Sequence, residues 1–357
     1  MAYKYTHFIP QNTAPSGAKC IGVYNPDGKR VCTIPLGRLS PATKEKLYSF
    51  GLVSDTHITL SNERNRADFA KAMDLFEEYG CSFVCNAGDI TNVGFRAEGD
   101  KTTLFTDQFA EYQRICDLHP SLPVYEICGN HESYVVAITE NLTELATYTG
   151  QCELVYTVTQ GNDVFIFVGQ STGGLPMSYD HMQWLYETLE ANRNKRCFVF
   201  FHSFLDDDSG NPLNARDNSL FANFSATRRN AFKRMLEHYK NAIFLHGHSH
   251  MKFQSQEFDK CANYTEKNGF RSVHIPSSAM PRTLFADGSW EDDSTKENES
   301  YGYVVDVYDD CIVLNGTDFI SGKCVPIGTY KIDTTLTTIP AGTFSDSTGV
   351  INTYPVP

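Results

Sequence analysis

The chain has 357 residues, of which 41% are hydrophobic and 20% are charged. This composition provides for one large hydrophobic core or two ordinary ones, and it excludes an intrinsically disordered protein. The formal net charge of -13 opposes sequence-independent binding to nucleic acids and to anionic membranes, because both are polyanions.

Residues 1–19 contain no apolar segment typical of an export signal, and no apolar run in the chain approaches the ~20 residues that cross a bilayer. We therefore expect a cytoplasmic protein. The 11 cysteines are odd in number and include no Cys-x-x-Cys pair. This spacing favours reduced, buried thiols over a disulfide framework or a zinc ribbon.

The first predicted element is a β-hairpin. Its two strands, Ile21–Tyr24 and Val31–Ile34, flank the turn sequence Asn25-Pro-Asp-Gly28. We interpret residues 1–47 as an N-terminal extension that carries this hairpin outside the main domain.

From about residue 50, short apolar strands alternate with segments of helical spacing, which predicts a layered α/β architecture. The predicted strands are Ser49–Ser54, Ser82–Asn86, Val124–Cys128, Val164–Gly169, Cys197–His202 and Ala242–His246. The helical segments are marked by Phe69, Met73 and Phe76, by Phe109, Tyr112 and Cys116, by Met182, Leu185 and Leu189, and by Phe232, Met235 and Tyr239.

Beyond about residue 270 the pattern changes to strands alone. These strands are predicted at Ser272–Ile275, Tyr301–Tyr308 and Cys311–Asn315, the last two joined by a tight turn at Asp309-Asp310. We expect the main domain to cover residues 48–334. The Thr- and Pro-rich residues 335–357 show little periodicity and are interpreted as a C-terminal extension.

Polar side chains follow five of the predicted strands. In an open α/β sheet, ligands bind outside the carboxyl ends of the strands, so these side chains are expected to form one site. They are Asp55 and His57, then Asp89, then Asn130 and His131, then His202, and finally His248 and His250. Together they offer enough nitrogen and oxygen ligands for two divalent cations that share a carboxylate, as in two-metal phosphoester hydrolases.

Each of these pieces has a plainer interpretation when taken alone. Gly-Asp and Gly-Asn are common turn dipeptides, and a single histidine after a strand is more often a structural residue than a ligand. The site is favoured because all five pieces occur in order, each at the end of a strand.

The series Asp55-Thr-His57, Gly88-Asp89, Gly129-Asn-His-Glu132, His202 and Gly247-His-Ser-His250 resembles the signature of the calcineurin-like metallophosphoesterase superfamily. The stretches Gly88–Gly94, Gln183–Leu185 and His274–Ala279 are similar to the branch that includes class III cyclic-nucleotide phosphodiesterases. The resemblance implies a four-layer αββα sandwich of two mixed β-sheets, with the metal site at the C-terminal ends of the strands.

The resemblance also implies a role for each site residue. Asp55, His57 and His250 would hold one metal ion. Asn130, His202 and His248 would hold the other, with Asp89 bridging the two. His131 would face the leaving group, as a general acid or as a cation that positions the phosphate.

The implied activity is hydrolysis of a phosphomonoester, a phosphodiester or a nucleotide, by in-line attack of a hydroxide that bridges the two metals. The implied partner is thus a small phosphate-ester substrate. The alternative is a non-catalytic scaffold or binding protein with the same fold, as in relatives with eroded motifs.

Differences between this sequence and related families reduce the number of metals and substrates expected for it. Asn92 stands where purple acid phosphatases carry an iron-binding tyrosine, so Mn, Fe(II) or Zn is expected instead of a tyrosinate-iron site. Asn92 and Val93 also replace the Asp and Arg of Ser/Thr protein phosphatases, which disfavours that activity. Asn92 and Arg282 are candidates for substrate contact, although Arg282 fits a structural role equally well. His246 precedes Gly247 on a strand and is expected to be structural.

Overall fold

The computed structural model describes residues 20–24, 30–35, 45–94, 98–139, 155–170, 177–205, 226–253, 263–284, 290–292, 299–336 and 338–353. Its helices are α1 (Glu63–Tyr79), α2 (Lys101–Asp117), α3 (Asn130–Thr139), α4 (Tyr179–Ala191) and α5 (Ala226–His238). Its strands are β1 (Cys20–Tyr24), β2 (Arg30–Pro35), β3 (Lys46–Val53), β4 (Val84–Asn86), β5 (Val124–Glu126), β6 (Val155–Gln160), β7 (Asp163–Val168), β8 (Arg196–Phe200), β9 (Ala242–His246), β10 (Tyr264–Lys267), β11 (Phe270–His274), β12 (Arg282–Leu284), β13 (Trp290–Asp292), β14 (Tyr301–Tyr308), β15 (Cys311–Asp318), β16 (Lys323–Cys324) and β17 (Tyr330–Asp333).

Two large mixed sheets form the centre of the fold. One has the order β16-β15-β14-β3-β4-β5, with β17 also paired to β15, and its β3, β4 and β5 are parallel. The other has the order β10-β11-β9-β8-β7-β6, with four parallel strands between two antiparallel edge strands. The predicted pair of mixed sheets is confirmed.

Three hydrophobic cores separate four layers. Strands that are buried on both faces send alternate side chains into different cores. Phe165 of β7 and Phe198 of β8 point between the sheets, where their rings lie 5.2 and 5.6 Å from the ring of Phe50 on β3. Their neighbours Val164 and Ile166 face the helices instead. Helices α1 and α2 cover the seven-stranded sheet, and α4 and α5 cover the six-stranded sheet, so the predicted αββα sandwich is confirmed.

A buried ion pair joins the two sheets at the edge where β7 and β8 begin. Arg196 contacts Asp163 through two hydrogen bonds of 2.6 and 3.0 Å. The same carboxylate accepts a hydrogen bond of 2.6 Å from the Tyr48 hydroxyl of β3, and Arg196 donates to the carbonyl oxygen of Tyr308 on β14 at 2.8 Å. Both contacts cross from one sheet to the other, so this cluster fastens the sandwich at one end.

The two strands predicted for the hairpin occur as the antiparallel pair β1 and β2, which form a sheet of their own, and the turn predicted between them lies outside the described residues. Residues 338–353 pack Ile339, Phe344 and Ile351 into the core beneath α4 and α5. The domain limits at residues 47 and 334 stay a prediction.

Each of the seven cysteines whose side chain the structure describes is a free thiol. Among the helices of the described residues, none combines the length and the apolar character that a membrane span requires.

Glu126 ends β5 with a buried carboxyl group. Burial raises the pKa of Glu126 to about 8, against the lowering effect of the Tyr112 hydroxyl at 3.5 Å. At this carboxyl group the folded protein therefore keeps a proton that the unfolded chain has released between about pH 4.5 and pH 8. The stability contributed by this proton is fully present below about pH 4.5 and is lost as the pH rises through about 8.

We expect Glu126→Gln to remove that loss. At pH 9 the variant should exceed the wild type in free energy of unfolding by roughly 2 to 4 kcal/mol, with a smaller difference at pH 5. Urea unfolding at both pH values measures this. Glu63→Gln, at a side chain that is 95% exposed, is the control and should show no such pH dependence. A pH-independent effect at Glu126 would contradict the prediction.

Candidate metal centre

The predicted site residues meet where the ends of both sheets come together. Asp55, Asp89 and Asn130 follow β3, β4 and β5 of one sheet, while His202 and the His248–His250 turn follow β8 and β9 of the other. Two groups of donor atoms there could each hold a metal ion, with all atoms of a group within 4.8 Å of one another. The first group is Asp55, His57, Asp89 and His250, and the second is Asp89, His202 and His248. Asp89 is common to both groups.

The separations between donor atoms suit ligands of one ion. His250 Nε2 lies 3.0 Å from Asp55 Oδ1 and 3.2 Å from His57 Nε2, and His202 Nε2 lies 3.2 Å from Asp89 Oδ2. Ligand atoms placed ~2.1 Å from one cation at tetrahedral or octahedral angles are roughly 3.0 to 3.5 Å apart.

Hydrogen bonds to the far ring nitrogens orient two of the histidines. His202 Nδ1 donates to the carbonyl oxygen of Ala87 at 2.8 Å, and His250 Nδ1 donates to that of Met280 at 3.0 Å. A carbonyl oxygen only accepts, so in the neutral rings Nε2 is a bare lone pair aimed at a carboxylate oxygen. Two acceptors that face each other at about 3 Å need a proton or a metal ion between them, and a metal ion fits this position.

In both Asp55 and Asp89, one carboxylate oxygen accepts hydrogen bonds from neighbouring protein groups. Asp55 Oδ2 accepts from the Ser54 hydroxyl at 2.6 Å and from the His248 backbone N–H at 3.0 Å. Asp89 Oδ1 accepts from the backbone N–H of His131 at 2.9 Å. Within the described part of the chain, Asp55 Oδ1 and Asn130 Oδ1 are buried without a hydrogen-bond donor. The atoms left over are therefore the ones that a cation would use.

Burial alone would raise the pKa of Asp89, but the imidazoles of His202 and His131 hold the pKa of Asp89 well below its usual range. Burial lowers the pKa of His57 well below its ordinary value and that of His248 to about 3. For His202 the nearby Asp89 and Asp55 carboxylates overcome burial and raise the pKa to about 9. The two carboxylates and the neutral rings of His57 and His248 are thus in the protonation states that bind metals, while His202 would have to release a proton to a metal ion.

The backbone is strained at the same residues. Among the described residues, six that are not glycine have a positive φ, and five of them are predicted ligands. These five are Asp55 (φ 53°), His57 (41°), Asp89 (51°), His248 (72°) and His250 (61°). Left-handed conformations of such residues are costly and are kept at functional sites when the surrounding structure enforces them.

His131 lies at the open side of the cluster, with 21% of its side chain exposed. Its Nε2 is 3.8 Å from Asp89 Oδ2, and its ring centroid is 4.6 Å from that of His57. It belongs to neither donor group, which matches its predicted role beside the metals. Gly94 makes room for the ring, since a Cβ there would lie 3.0 Å from His131 Cε1.

Comparisons with known proteins support the same family. No curated protein matches the chain in sequence. A dimetal phosphatase from Danio rerio shares its fold with a TM-score of 0.55 at 14% identity, covering 82% of this chain and 100% of that one. A purple acid phosphatase from yellow lupin (Lupinus luteus) seeds gives 0.57 at 13% identity, covering 83% of this chain and 55% of that one.

A family model for calcineurin-like phosphoesterases matches residues 48–252, which is more than half of the chain. The chain belongs to this family. It is accordingly a hydrolase that acts on phosphoric ester bonds.

The two candidates for substrate contact in this phosphoesterase lie near the donor groups. Asn92 lies on the loop that follows Asp89. The backbone N–H of Asn92 donates a hydrogen bond of 2.9 Å to Gln108 Oε1, which fixes this loop. Arg282 lies beside His250, since its backbone N–H donates to the His250 carbonyl oxygen at 2.9 Å and its Nη1 to that of Ser249 at 3.4 Å. Their substrate roles stay predictions.

His246 is fully buried on β9 and belongs to neither donor group. Its Nε2 lies 3.2 Å from the Ser272 hydroxyl, in keeping with the structural role expected for it.

Sequence reasoning gave no role to two side chains that support the ligands. Glu132 accepts hydrogen bonds of 2.8 Å from the backbone N–H groups of Thr91 and Gly129, which joins the loops after β4 and β5. Ser277 donates to the carbonyl oxygen of Asp55 at 2.9 Å. Both belong to stretches that resemble the family, so their presence in those motifs was the available signal.

Gly247 is required because the chain passes against the first ligand. A Cβ at this position would overlap with the Ser54 hydroxyl and with Asp55 Oδ2. We expect Gly247→Ala to displace Asp55, to lower the free energy of unfolding by about 1 to 3 kcal/mol and to reduce bound manganese at least tenfold.

Thermal unfolding and the metal content of the purified phosphoesterase measure these effects. Gly342→Ala is the control, because its Cβ meets open space and costs only about 1 kcal/mol for a positive φ of 65°. Equal metal content in the two variants would contradict the close approach.

Proposed function

We propose that the protein is a binuclear metal-dependent phosphoesterase, which hydrolyses a small phosphomonoester, phosphodiester or nucleotide. One observation carries the proposal. Two groups of buried donor atoms share the carboxylate of Asp89 at the junction of the two sheets. A shared carboxylate reduces the repulsion between two cations held a few Å apart, so the arrangement suits a pair of ions better than one.

Asp55, His57 and His250 would hold the first ion, and Asn130, His202 and His248 the second, with Asp89 bridging them. Bound there, two divalent cations would lower the pKa of a bound water molecule to near neutral pH and would neutralise negative charge on a phosphate group. The ligands are imidazole nitrogens and oxygens without a thiolate, which fits Mn, Fe or Zn. Asn92 in place of a tyrosine disfavours a tyrosinate-iron site.

His131 would protonate the leaving oxygen or stabilise its negative charge. Its ring is more exposed than the buried ligands and stands beside Asp89 without lying in a donor group. The N-terminus of α3, which starts at Asn130, adds a partial positive charge next to it. Asn92 and Arg282 would contact the phosphate from the neighbouring loops.

The metal-binding half of the proposal is tested with Asp89→Asn. The wild type should bind two manganese ions for each chain and hydrolyse p-nitrophenyl phosphate or bis-p-nitrophenyl phosphate. Because both donor groups lose their shared carboxylate, the variant should bind manganese at least tenfold more weakly at both positions. Isothermal titration of metal-free protein measures this. Asp180→Asn on α4, outside both groups, should bind like the wild type. Unchanged binding in Asp89→Asn would sink the shared-ligand assignment.

The catalytic half is tested with His131→Ala. This variant should keep both metals and lose about 10²- to 10⁴-fold in kcat, the range expected when a general acid is removed. Its activity on an ester with a very good leaving group should fall less, because protonation then matters less. His238→Ala, at a half-buried histidine of α5, is the control. A His131→Ala enzyme with wild-type kcat would show that another group assists the leaving oxygen.

The substrate class follows from a panel of nucleotides, cyclic nucleotides and simple phosphate mono- and diesters, each assayed with Mn, Zn and Fe(II).

A further inference from the structure

The turn that carries two of the predicted ligands is held by a residue that ligates nothing. Ser249 lies between His248 and His250 and is fully buried. Its hydroxyl is 2.8 Å from Nε2 of His274, at the end of β11. The turn is therefore tied by a side chain to the neighbouring strand.

His274 is in turn fixed by Asn263. Its Nδ1 lies 3.0 Å from the side-chain nitrogen Nδ2 of Asn263, and its backbone N–H donates to the Asn263 carbonyl oxygen at 2.8 Å. An amide nitrogen only donates, so Nδ1 accepts and the ring proton is on Nε2, from which it is donated to the Ser249 hydroxyl. Burial lowers the pKa of His274 to about 3, so the ring is neutral.

The turn needs such an anchor because of its backbone. His248 and His250 have φ values of 72° and 61°, in the left-handed region that non-glycine residues avoid. A strained turn persists only where its surroundings determine its conformation. Of the three consecutive residues, only Ser249 directs its side chain away from the metal groups and into the fold.

A second histidine–serine pair lies beside the first and provides a natural comparison. His246 and His274 are register partners on β9 and β11, both fully buried, with ring centroids 5.5 Å apart. The His246 ring contacts the Ser272 hydroxyl at 3.2 Å. That hydroxyl belongs to β11 and not to the ligand turn, so its removal leaves the Ser249 hydroxyl of the turn in place.

We propose that the hydrogen-bonded series Asn263–His274–Ser249 positions the ligands His248 and His250 and thereby sets the affinity for both metal ions. The inference rests on the proposed two-metal function. His274 and Ser249 are positioning residues, since they act through the backbone of the turn. Outer-shell partners of metal ligands commonly change metal affinity by 10- to 100-fold when they are removed.

The test compares Ser249→Ala with Ser272→Ala, which delete the same buried hydroxyl from the two pairs. Manganese binding is measured by titration of the metal-free full-length protein, with thermal unfolding of the metal-free form as the fold control. Ser249→Ala should weaken binding about tenfold or more at both positions, while Ser272→Ala stays within about twofold of the wild type. Saturating manganese should restore most of the kcat of Ser249→Ala.

A second pair of variants covers the case in which Ser249→Ala is poorly folded. His274→Gln keeps an amide N–H near the position of Nε2 and should retain most of the affinity, whereas His274→Leu should lose it. His246→Leu removes the matched ring and should change stability more than affinity.

The outcomes separate the two claims. Equal manganese affinities in Ser249→Ala and Ser272→Ala, or in His274→Leu and His246→Leu, would overturn the positioning role while the two-metal function stands. A wild type that binds no manganese, zinc or iron would overturn the two-metal function, and the positioning role with it.

Discussion

At the metal centre, the fold brings together buried groups that repel one another unless a cation lies between them. Asp55 and Asp89 are buried carboxylates, and the Nε2 atoms of His202 and His250 lie about 3 Å from their oxygens. Burying like charges is costly unless opposite charge is buried with them. A proton on His202 supplies part of that charge, as the raised pKa of about 9 indicates. Divalent cations would supply this positive charge more fully, so the same repulsion that makes the site costly to bury favours the binding of cations.

The surrounding structure enforces this arrangement by leaving few alternatives to each ligand. The far oxygen of Asp55 is bound by Ser54 and by the His248 backbone, and its own carbonyl oxygen is bound by Ser277. The strained backbone at five ligands persists because the strands that precede them are locked into buried sheets. The strands that precede these left-handed residues also pack side chains into the aromatic core between the sheets, and dense packing of this kind opposes relaxation of a strand end.

The sequence predicted the parts of this structure that depend on local patterns. Strands β7, β8 and β9 were recognisable because they are buried on both faces and are therefore continuously apolar. Edge strands β6 and β10 were not predicted, because they mix polar and apolar residues. Helix α3 was not predicted because it starts inside the Gly129-Asn-His-Glu132 motif. The ligands could be read from the strand ends, whereas the contact of Ser277 with Asp55 spans 222 positions and has no local signature. The burial of Ile339, Phe344 and Ile351 was hidden for a similar reason, since isolated apolar residues in a Thr- and Pro-rich stretch have no periodicity.

The two ends of the sandwich are fastened by different physical means, and this has a consequence for how the protein responds to metal. At the end where β7 and β8 begin, the Arg196–Asp163 ion pair, Tyr48 and the Tyr308 carbonyl oxygen join the sheets with their own opposite charges. At the ligand end the groups that meet are mostly acceptors. Two cations, one held by Asp55, Asp89 and His250 and the other by Asp89, His202 and His248, would each cross-link the two sheets. Metal binding would therefore be coupled to the packing of the sheets at this end. The other end joins the sheets through its own opposite charges and involves none of the metal ligands.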